Sequence, residues 1–130
     1  SEAYDKALAL SGADRSLAFR AFVVRKRGEL ANPETPLLGF LRQQPADTEI
    51  RRNAALSLLS RGETQQAIEH FELALIDAPD DVIVLTGLAR ALAKSGETER
   101  AIGLLEKALA DPAEFPGRQD AADLLGTLRN

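Results

Sequence analysis

One spacing constrains this chain more than any other feature, because a Gly-Glu pair recurs at a fixed step of 34 residues. The pairs are Gly28-Glu29, Gly62-Glu63 and Gly96-Glu97. Other identical residues recur at the same step: Pro45 and Pro79, Asp47 and Asp81, Ala67 and Ala101, Ile68 and Ile102, and Ala74 and Ala108. A fixed period of this length is typical of repeat architectures, in which each unit buries its apolar face against the next unit.

Within each period, the apolar residues follow two helical patterns. Their spacings of three and four residues predict helices with one buried face, and the strict alternation expected of strands is absent. The stripes are Ile50, Ala54, Ala55, Leu58 and Leu59; Ala67, Ile68, Phe71, Ala74 and Leu75; Leu85, Leu88, Ala89 and Leu92; and Ala101, Leu104, Leu105 and Ala108. The many alanines predict helices that approach one another closely, since larger side chains would overpack the contacts.

Turn residues separate the predicted helices. Gly62 and Gly96 fall just after a helix, where a left-handed residue ends it at little cost, and Pro79 is predicted to stop the helix before it. The predicted N-caps are Thr64, Thr98, Asp47 and Asp80. Turns this short force neighbouring helices to run antiparallel. The chain is therefore predicted to be all-α and built from antiparallel helix hairpins.

These residues resemble the tetratricopeptide repeat, whose pattern has apolar residues at seven helix positions and a Pro near its end. The unit from Thr48 matches it except at Arg51, and the unit from Val82 places Pro112 one residue early. The unit from Asp14 is degenerate, since Pro33 stands where Ala is expected. The resemblance implies a right-handed superhelical stack of hairpins and a scaffold without catalytic activity.

The resemblance covers nearly the whole chain as one domain. Because Pro33 and Pro36 fit only near a helix start, the second helix of the degenerate unit is expected to be short, at about Thr35 to Gln43. Ahead of the degenerate unit, one apolar face is predicted from Tyr4, Ala7, Leu8 and Leu10. The predicted segments are the end of a preceding repeat (1–11), a degenerate repeat (14–47), two repeats (48–81 and 82–115) and a terminal capping helix (117–129).

A narrower resemblance concerns Phe115-Pro116-Gly117-Arg118 and the stretch from Arg25 to Leu30 that leads into Pro36-Leu37. These segments are similar to the C-terminal regions of large bacterial tetratricopeptide lipoproteins that accompany exopolysaccharide and exosortase systems. The sequence has no Met, which favours a processed protein or a piece of a longer one. The resemblance implies the bacterial periplasm or outer envelope more than the cytoplasm.

The residues available for chemistry are few. The chain has one His and no Cys, so it has no disulfide and a poor set of transition-metal ligands, and no metal or cofactor is predicted. His70 is interpreted as a solvated surface residue on a second helix. The acidic pairs Asp80-Asp81 and Glu69 with Glu72 suit helix ends better than catalysis. A net charge of −4 gives no argument for nucleic acid, and no apolar run is long enough for a membrane span.

The resemblance also implies a concave groove lined by the first helix of each repeat. Its partner-binding residues, carried over by position, are Arg15, Phe19, Phe22, Lys26, Arg52, Asn53, Leu56, Thr86, Arg90 and Lys94. Ala18, Arg25, Glu49, Leu59, Ser60, Ile83, Gly87 and Ala93 complete the predicted lining. Glu49 is the single acid among these basic and apolar residues. Such a groove suits a peptide or partner domain with acidic and apolar residues.

Two functions remain open at this point. The first is a protein–protein interaction scaffold that belongs to a larger protein. The second is a structural segment that caps a longer solenoid or associates with itself, in which case Phe19 and Phe22 pack against a neighbouring unit and the basic residues are merely solvated. A clamp for chaperone tails is not expected, because Asn53 alone matches its residue pattern.

Overall fold

The structure, a computed structural model, describes residues 12–28 and 31–130. Within these residues it consists of seven helices joined by short turns. They are α1 (Gly12–Arg27), α2 (Thr35–Gln43), α3 (Thr48–Ser60), α4 (Thr64–Asp77), α5 (Val82–Lys94), α6 (Thr98–Ala110) and α7 (Arg118–Arg129). The predicted end of a preceding repeat, 1–11, lies outside the described residues.

Consecutive helices pack as antiparallel pairs, α1 with α2, α3 with α4, and α5 with α6, and α7 packs on α6. The first helices of neighbouring hairpins also touch, since α3 contacts α5 and α5 contacts α7. The prediction of an all-α stack of helix hairpins is thereby confirmed. The short helix expected at about Thr35 to Gln43 is present as α2.

Two clusters of buried side chains hold the stack together. The larger cluster runs from α3 to α7 and includes Phe71, Leu88 and Leu105, all fully buried. The smaller cluster joins α1 and α2 to α3, and its members are Ala18, Phe22, Leu37, Leu41, Ile50 and Ala54. Removing apolar surface from water contributes about 25 cal/mol per Å². Because both clusters include side chains from neighbouring hairpins, this burial holds adjacent hairpins together as well as the two helices of each hairpin.

The recurring glycines end helices as predicted. Gly62 and Gly96 have φ of 85° and 89°, the left-handed region that only glycine adopts without strain. The residue after each glycine donates its N–H back across the turn, Glu63 to Leu58 O at 2.9 Å and Glu97 to Leu92 O at 2.9 Å. These bonds satisfy carbonyl groups at the helix ends that would otherwise lack a partner.

The predicted N-caps are only partly correct. Asp47 caps α3, because its side chain accepts from the Ile50 N–H at 3.1 Å. The cap of α5 is Asp81, which accepts from the N–H groups of Ile83 and Val84, and not Asp80, which is exposed. One residue of register decides this, since only the residue directly before the first helical residue can reach those N–H groups.

The prediction of threonine caps was wrong. Thr64 and Thr98 are the first helical residues of α4 and α6, and the flanking residues Glu63 and Glu97 form no side-chain cap bond. The left-handed glycine reverses the chain within a single residue, so the next helix begins one residue earlier than the threonine pattern suggests.

A buried carboxylate ties the first hairpin to the second. Glu34, just before α2, is 1% exposed, accepts a hydrogen bond from Ser57 Oγ at 2.9 Å and forms an ion pair with Arg61. Burial raises the pKa of Glu34, but the hydrogen bonds from Arg61, its own backbone N–H and Ser57 outweigh burial and hold the pKa below its ordinary value. Glu34 therefore stays charged inside the fold with its counterion beside it.

Candidate partner-binding face

The predicted groove residues lie on the first helices α1, α3 and α5 of the three hairpins. Their surface is called the first-helix face below. It is defined by Arg15, Phe19, Lys26, Arg52, Asn53, Leu56, Thr86, Arg90 and Lys94. Among all the residues predicted for the groove, the structure distinguishes four groups: side chains that pair with acids of this chain, side chains that pack inward, polar side chains that bond to their own helix, and cations that face solvent.

Arg15 belongs to the paired group. Its Nε lies 2.7 Å from Asp47 Oδ2, its Nη2 lies 3.1 Å from Glu49 Oε2, and its guanidinium lies 5.2 Å from the Phe19 ring centroid. Burial raises the pKa of Asp47, but hydrogen bonds from Arg15 and from the Ile50 N–H bring it below its ordinary value. Arg15 thus holds α1 against the start of α3.

Arg52 has the same role in the next hairpin. Its Nη1 lies 2.7 Å from Asp81 Oδ2, and Asp81 is the N-cap of α5. The prediction that Glu49 is the single acid of this face is therefore wrong, because Asp47 and Asp81 also point toward it. The signal was present in the sequence, since an N-cap carboxylate at the start of one first helix lies within reach of a basic residue on the preceding first helix.

Several predicted groove residues pack inward. Phe22 is 9% exposed and belongs to the smaller core cluster, so the prediction that it faces a partner is wrong. Ala18, Leu59 and Gly87, also predicted to line the groove, are buried as well. Gly87, for example, faces Phe71 on α4, the second helix of the preceding hairpin.

The polar residues in the middle of the face bond to their own helices. Asn53 is half-buried and donates to Glu49 O at 2.8 Å, and half-buried Thr86 donates to Val82 O at 2.8 Å. Leu56 is half-buried and packs against the larger core cluster. These three residues offer a partner partial surfaces and few free donors.

Exposed cations remain at both ends of the face. Arg90 and Lys94 lie one turn apart on α5 and form no ion pair with any described residue. Arg90 also lines a small cleft of about 80 Å³ between α5 and α7, together with Thr86 and Leu105. Lys26 on α1 is exposed, with its Nζ 5.7 Å from the Phe22 ring centroid. Among the residues that define the first-helix face, α5 thus carries two exposed cations and α1 carries one.

The opposite side of the hairpins holds the single histidine. His70 was interpreted as a solvated residue, but it is half-buried and its Nδ1 lies 2.9 Å from Arg51 Nη1. Burial and the charge of Arg51 lower the pKa of His70, and Glu69 offsets some of this effect. Arg51, the departure from the repeat pattern, is 8% exposed and also donates to Pro45 O at 2.8 Å.

A metal centre and a membrane span are two other features that a helical chain can carry. Across residues 12–28 and 31–130, no group of three or more His, Asp or Glu side chains is placed to hold a metal ion. None of the helices described in these ranges is long and apolar enough to cross a membrane.

A family model described as Tetratricopeptide repeat matches residues 58–127, which is more than half of the chain. The chain belongs to the tetratricopeptide repeat family. The comparison with curated proteins finds no match. Tetratricopeptide repeats are generally protein–protein interaction modules and usually non-catalytic scaffolds. The matched range runs from within α3 to within α7, so it includes Arg90 and Lys94 and leaves out the first hairpin.

Proposed function

We propose that this tetratricopeptide repeat chain binds an extended peptide or a partner domain along its first-helix face, within a larger protein. The observation that carries the proposal is the pair Arg90 and Lys94, exposed, one turn apart and without an ion pair among the described residues. Arginine grips carboxylates through two parallel hydrogen bonds, and apolar surface beside it anchors side chains. The partner is therefore expected to carry acidic and apolar residues.

The ion pairs narrow the proposed contact area. Arg15 and Arg52 already bind carboxylates of the chain itself, at 2.7 Å each. A partner that displaced those bonds would release Asp47 or Asp81 from a charged neighbour, so these arginines contribute less to binding. The stronger contribution is assigned to α5, where Arg90 and Lys94 are exposed and form no ion pair with a described residue, although Asp120 lines the same small cleft as Arg90.

Charge reversal on α5 tests this proposal. Arg90→Glu together with Lys94→Glu is expected to weaken binding of a fluorescein-labelled peptide that alternates Glu and Leu by about tenfold or more, because two attractions become repulsions. Fluorescence anisotropy measures the affinity. Raising the salt concentration should weaken binding to the unaltered chain and change the variant much less, since exposed charges are screened.

The matched control reverses two charges on second helices, Arg100→Glu with Lys107→Glu, which changes the net charge by the same amount. That control should bind the peptide as the unaltered chain does. Arg52→Glu is a poor test, because a new carboxylate beside Asp81 would destabilise the start of α5 directly. Equal affinity of the α5 variant and the unaltered chain would remove the first-helix face as the binding surface.

A second function is favoured by a different observation, an apolar surface on α1. Leu17, Val23 and Val24 are exposed, Val24 by 67%, and an open apolar cleft of about 380 Å³ runs along Phe19, Arg20, Val23 and Val24. Exposed apolar patches mark contact surfaces. In this alternative, the chain caps a longer solenoid or associates with a second copy through α1, within a bacterial envelope or polysaccharide export assembly.

Self-association through α1 predicts a dimer whose population rises with protein concentration. Val24→Asp would place a charge in that contact and is expected to raise the dimer dissociation constant by about tenfold or more. Sedimentation equilibrium measures it, and Ile76→Asp on α4, also at an exposed apolar residue, is the control that should leave it unchanged. A monomer at every concentration would rule out self-association.

We also propose that the parent protein is a large bacterial tetratricopeptide lipoprotein of an exopolysaccharide or exosortase system, in the periplasm or outer envelope. The support is the sequence resemblance of the segment from Phe115 to Arg118 to the C-terminal regions of such proteins, and the contacts of Arg118 describe only how this segment is held. Arg118 donates to Asp111 O at 2.7 Å, Ala113 O at 3.1 Å and Leu109 O at 3.3 Å, and its guanidinium lies 5.6 Å from the Phe115 ring centroid. A lipobox and further repeats upstream in the parent sequence would support this assignment, and a kinase or DNA-binding domain there would overturn it.

A further inference from the structure

A cleft on the second-helix side of the stack is separate from the first-helix face. It has a volume of about 340 Å³ and lies where α2, α3 and α4 meet. Its lining residues are Leu38, Leu41, Arg42, Arg51 and His70. Two leucines, two guanidinium groups and one imidazole thus line this open space, and none of the lining residues in the described part of the chain is an acid.

Arg51 is a buried cation that pairs with no carboxylate among the described residues. It donates to Pro45 O and contacts His70 Nδ1, which are both neutral acceptors when the imidazole is uncharged. A guanidinium has five N–H donors, so further donors remain for a ligand. Burying a charge without an opposite charge is costly, and a carboxylate in the cleft would reduce that cost.

The next repeat has a cleft at the equivalent position, but that cleft contains a carboxylate of the chain itself. A cleft of about 340 Å³ lies one period later, lined by Glu72, Leu75, Ile76 and Arg100. Glu72 occupies the position of Leu38, and it forms an ion pair with Arg100. The later cleft therefore supplies its own carboxylate, whereas the earlier one has a leucine at that position.

The two repeats also differ in the polarity of two residues at the equivalent positions. Leu85 and Leu104 stand one period after Arg51 and His70. An apolar pair in one repeat is thus a hydrogen-bonded polar pair in the other. Because Leu fits this position in the later repeat, the fold itself does not require an arginine there.

We propose that the cleft between α2 and α4 binds a carboxylate that is attached to a branched apolar group. Arg51 and Arg42 would receive the carboxylate, and Leu38 and Leu41 would contact the apolar group. A free aliphatic acid and the C-terminal residue of a peptide share this chemistry. The site does not depend on the first-helix face, so either one can fail without the other.

The only histidine of the chain reports on this cleft without resonance assignment. The charged groups around His70 are Arg51 from α3, Arg42 from α2 across the cleft, and exposed Glu69 on its own helix. A bound carboxylate would offset the charge of Arg51, which lowers the pKa of His70, and would therefore raise that pKa.

The test follows the imidazole Cε1 proton of the whole chain by NMR during titration with sodium isovalerate and with N-acetylleucine. A saturable shift is expected, with a dissociation constant on the order of millimolar for such small ligands, together with a higher pKa of His70. Neutral isovaleramide and sodium chloride at equal ionic strength are the controls, and neither should saturate. Tighter binding of N-acetylleucine than of isovalerate points to a peptide terminus, and the reverse order to a free acid.

Two variants keep the proposal open to refutation. Arg51→Leu, which copies Leu85, should abolish the saturable shift, and Arg42→Gln at an exposed position should weaken binding about threefold to tenfold. Arg100→Gln in the later cleft should leave binding unchanged. The proposal is overturned if both acids act only as sodium chloride does, or if Arg42→Gln and Arg51→Leu bind as the unaltered chain does. Should Arg51→Leu lose helical circular dichroism, Arg42→Gln alone decides.

Discussion

Replacement of Arg61 by alanine is expected to lower the free energy of unfolding by about 3 kcal/mol at neutral pH. The reason is the carboxylate of Glu34, which is 1% exposed and would lose its counterion while remaining buried. Ser57 Oγ, at 2.9 Å, and the backbone N–H of Glu34 would then be its remaining donors. Urea denaturation followed by circular dichroism measures the loss.

The destabilisation caused by Arg61→Ala is also expected to depend on pH in one direction. In the unaltered chain, the pKa of Glu34 is lower in the folded state than in the unfolded state, so its contribution is present above the ordinary carboxyl pKa and is lost as pH falls. Removal of Arg61 raises the folded-state pKa, because burial acts with fewer opposing hydrogen bonds. The difference in stability between variant and unaltered chain should therefore shrink as pH falls from neutral toward the ordinary carboxyl pKa.

The exposed ion pair between Arg100 and Glu72 provides the control. Both side chains are more than one third exposed, so Arg100→Ala should change stability by less than about 0.5 kcal/mol. Glu34→Gln should cost less than Arg61→Ala, since no charge is left buried and Arg61 can reach water. Equal effects of Arg61→Ala and Arg100→Ala would contradict the role assigned to Glu34.

Gly87→Ala is expected to destabilise the chain by about 2 kcal/mol, although alanine is the better helix former. A Cβ at this position would lie 2.5 Å from Cζ and 2.6 Å from Cε1 of Phe71. The Phe71 ring is fully buried, so it has no free space in which to move. Thermal and urea unfolding measure the change.

Gly103→Ala is the matched control, because Gly103 also lies in the middle of a helix but has nothing within 4 Å of its Cβ position. That variant should gain about 0.5 to 1 kcal/mol from helix propensity. In a Phe71→Leu background, Gly87→Ala should cost much less, which is a measurable coupling between the two sites. Stabilisation by both glycine substitutions would show that the contact with Phe71 is not tight.

The contact between Phe71 and Gly87 has a counterpart one period later. Leu105 and Ala121 occupy the equivalent positions, and both are buried in the same cluster. The larger side chain, Phe71, is thus paired with glycine, and the smaller side chain, Leu105, is paired with alanine. The sequence analysis placed Gly87 on the groove. The 34-residue period specifies the position of a residue within the repeat, but it does not specify which side chain of a neighbouring helix packs against that residue.

Much of the fold could be predicted from local pattern. The stripes at spacings of three and four residues predicted the helices, and Pro33 with Pro36 predicted the short helix α2. The glycine turns were predicted for the same reason, since Gly62 and Gly96 follow the last apolar residue of a stripe. The N-cap residues were harder to predict, because an error of one residue in the predicted start of α5 makes Asp80 the cap in place of Asp81.

The candidate site was less predictable. Repeat positions placed Arg15, Arg52 and Arg90 on the first helices, where the structure also has them. They did not show that Arg15 and Arg52 bind the N-caps of the following first helices. The polar pair Arg51 and His70 was also missed, because each residue alone looks like an ordinary surface residue.

The amino-acid sequence by itself determined the repeat length, the helical class and the turns of this tetratricopeptide repeat chain. Those features depend on residues that are close together along the chain, through helix periodicity and the backbone freedom of glycine. Only the tertiary structure decided which charges are paired, which side chains are buried and where two guanidinium groups share a cleft. Those features depend on distances between atoms of different helices, and a period in the sequence does not specify such distances.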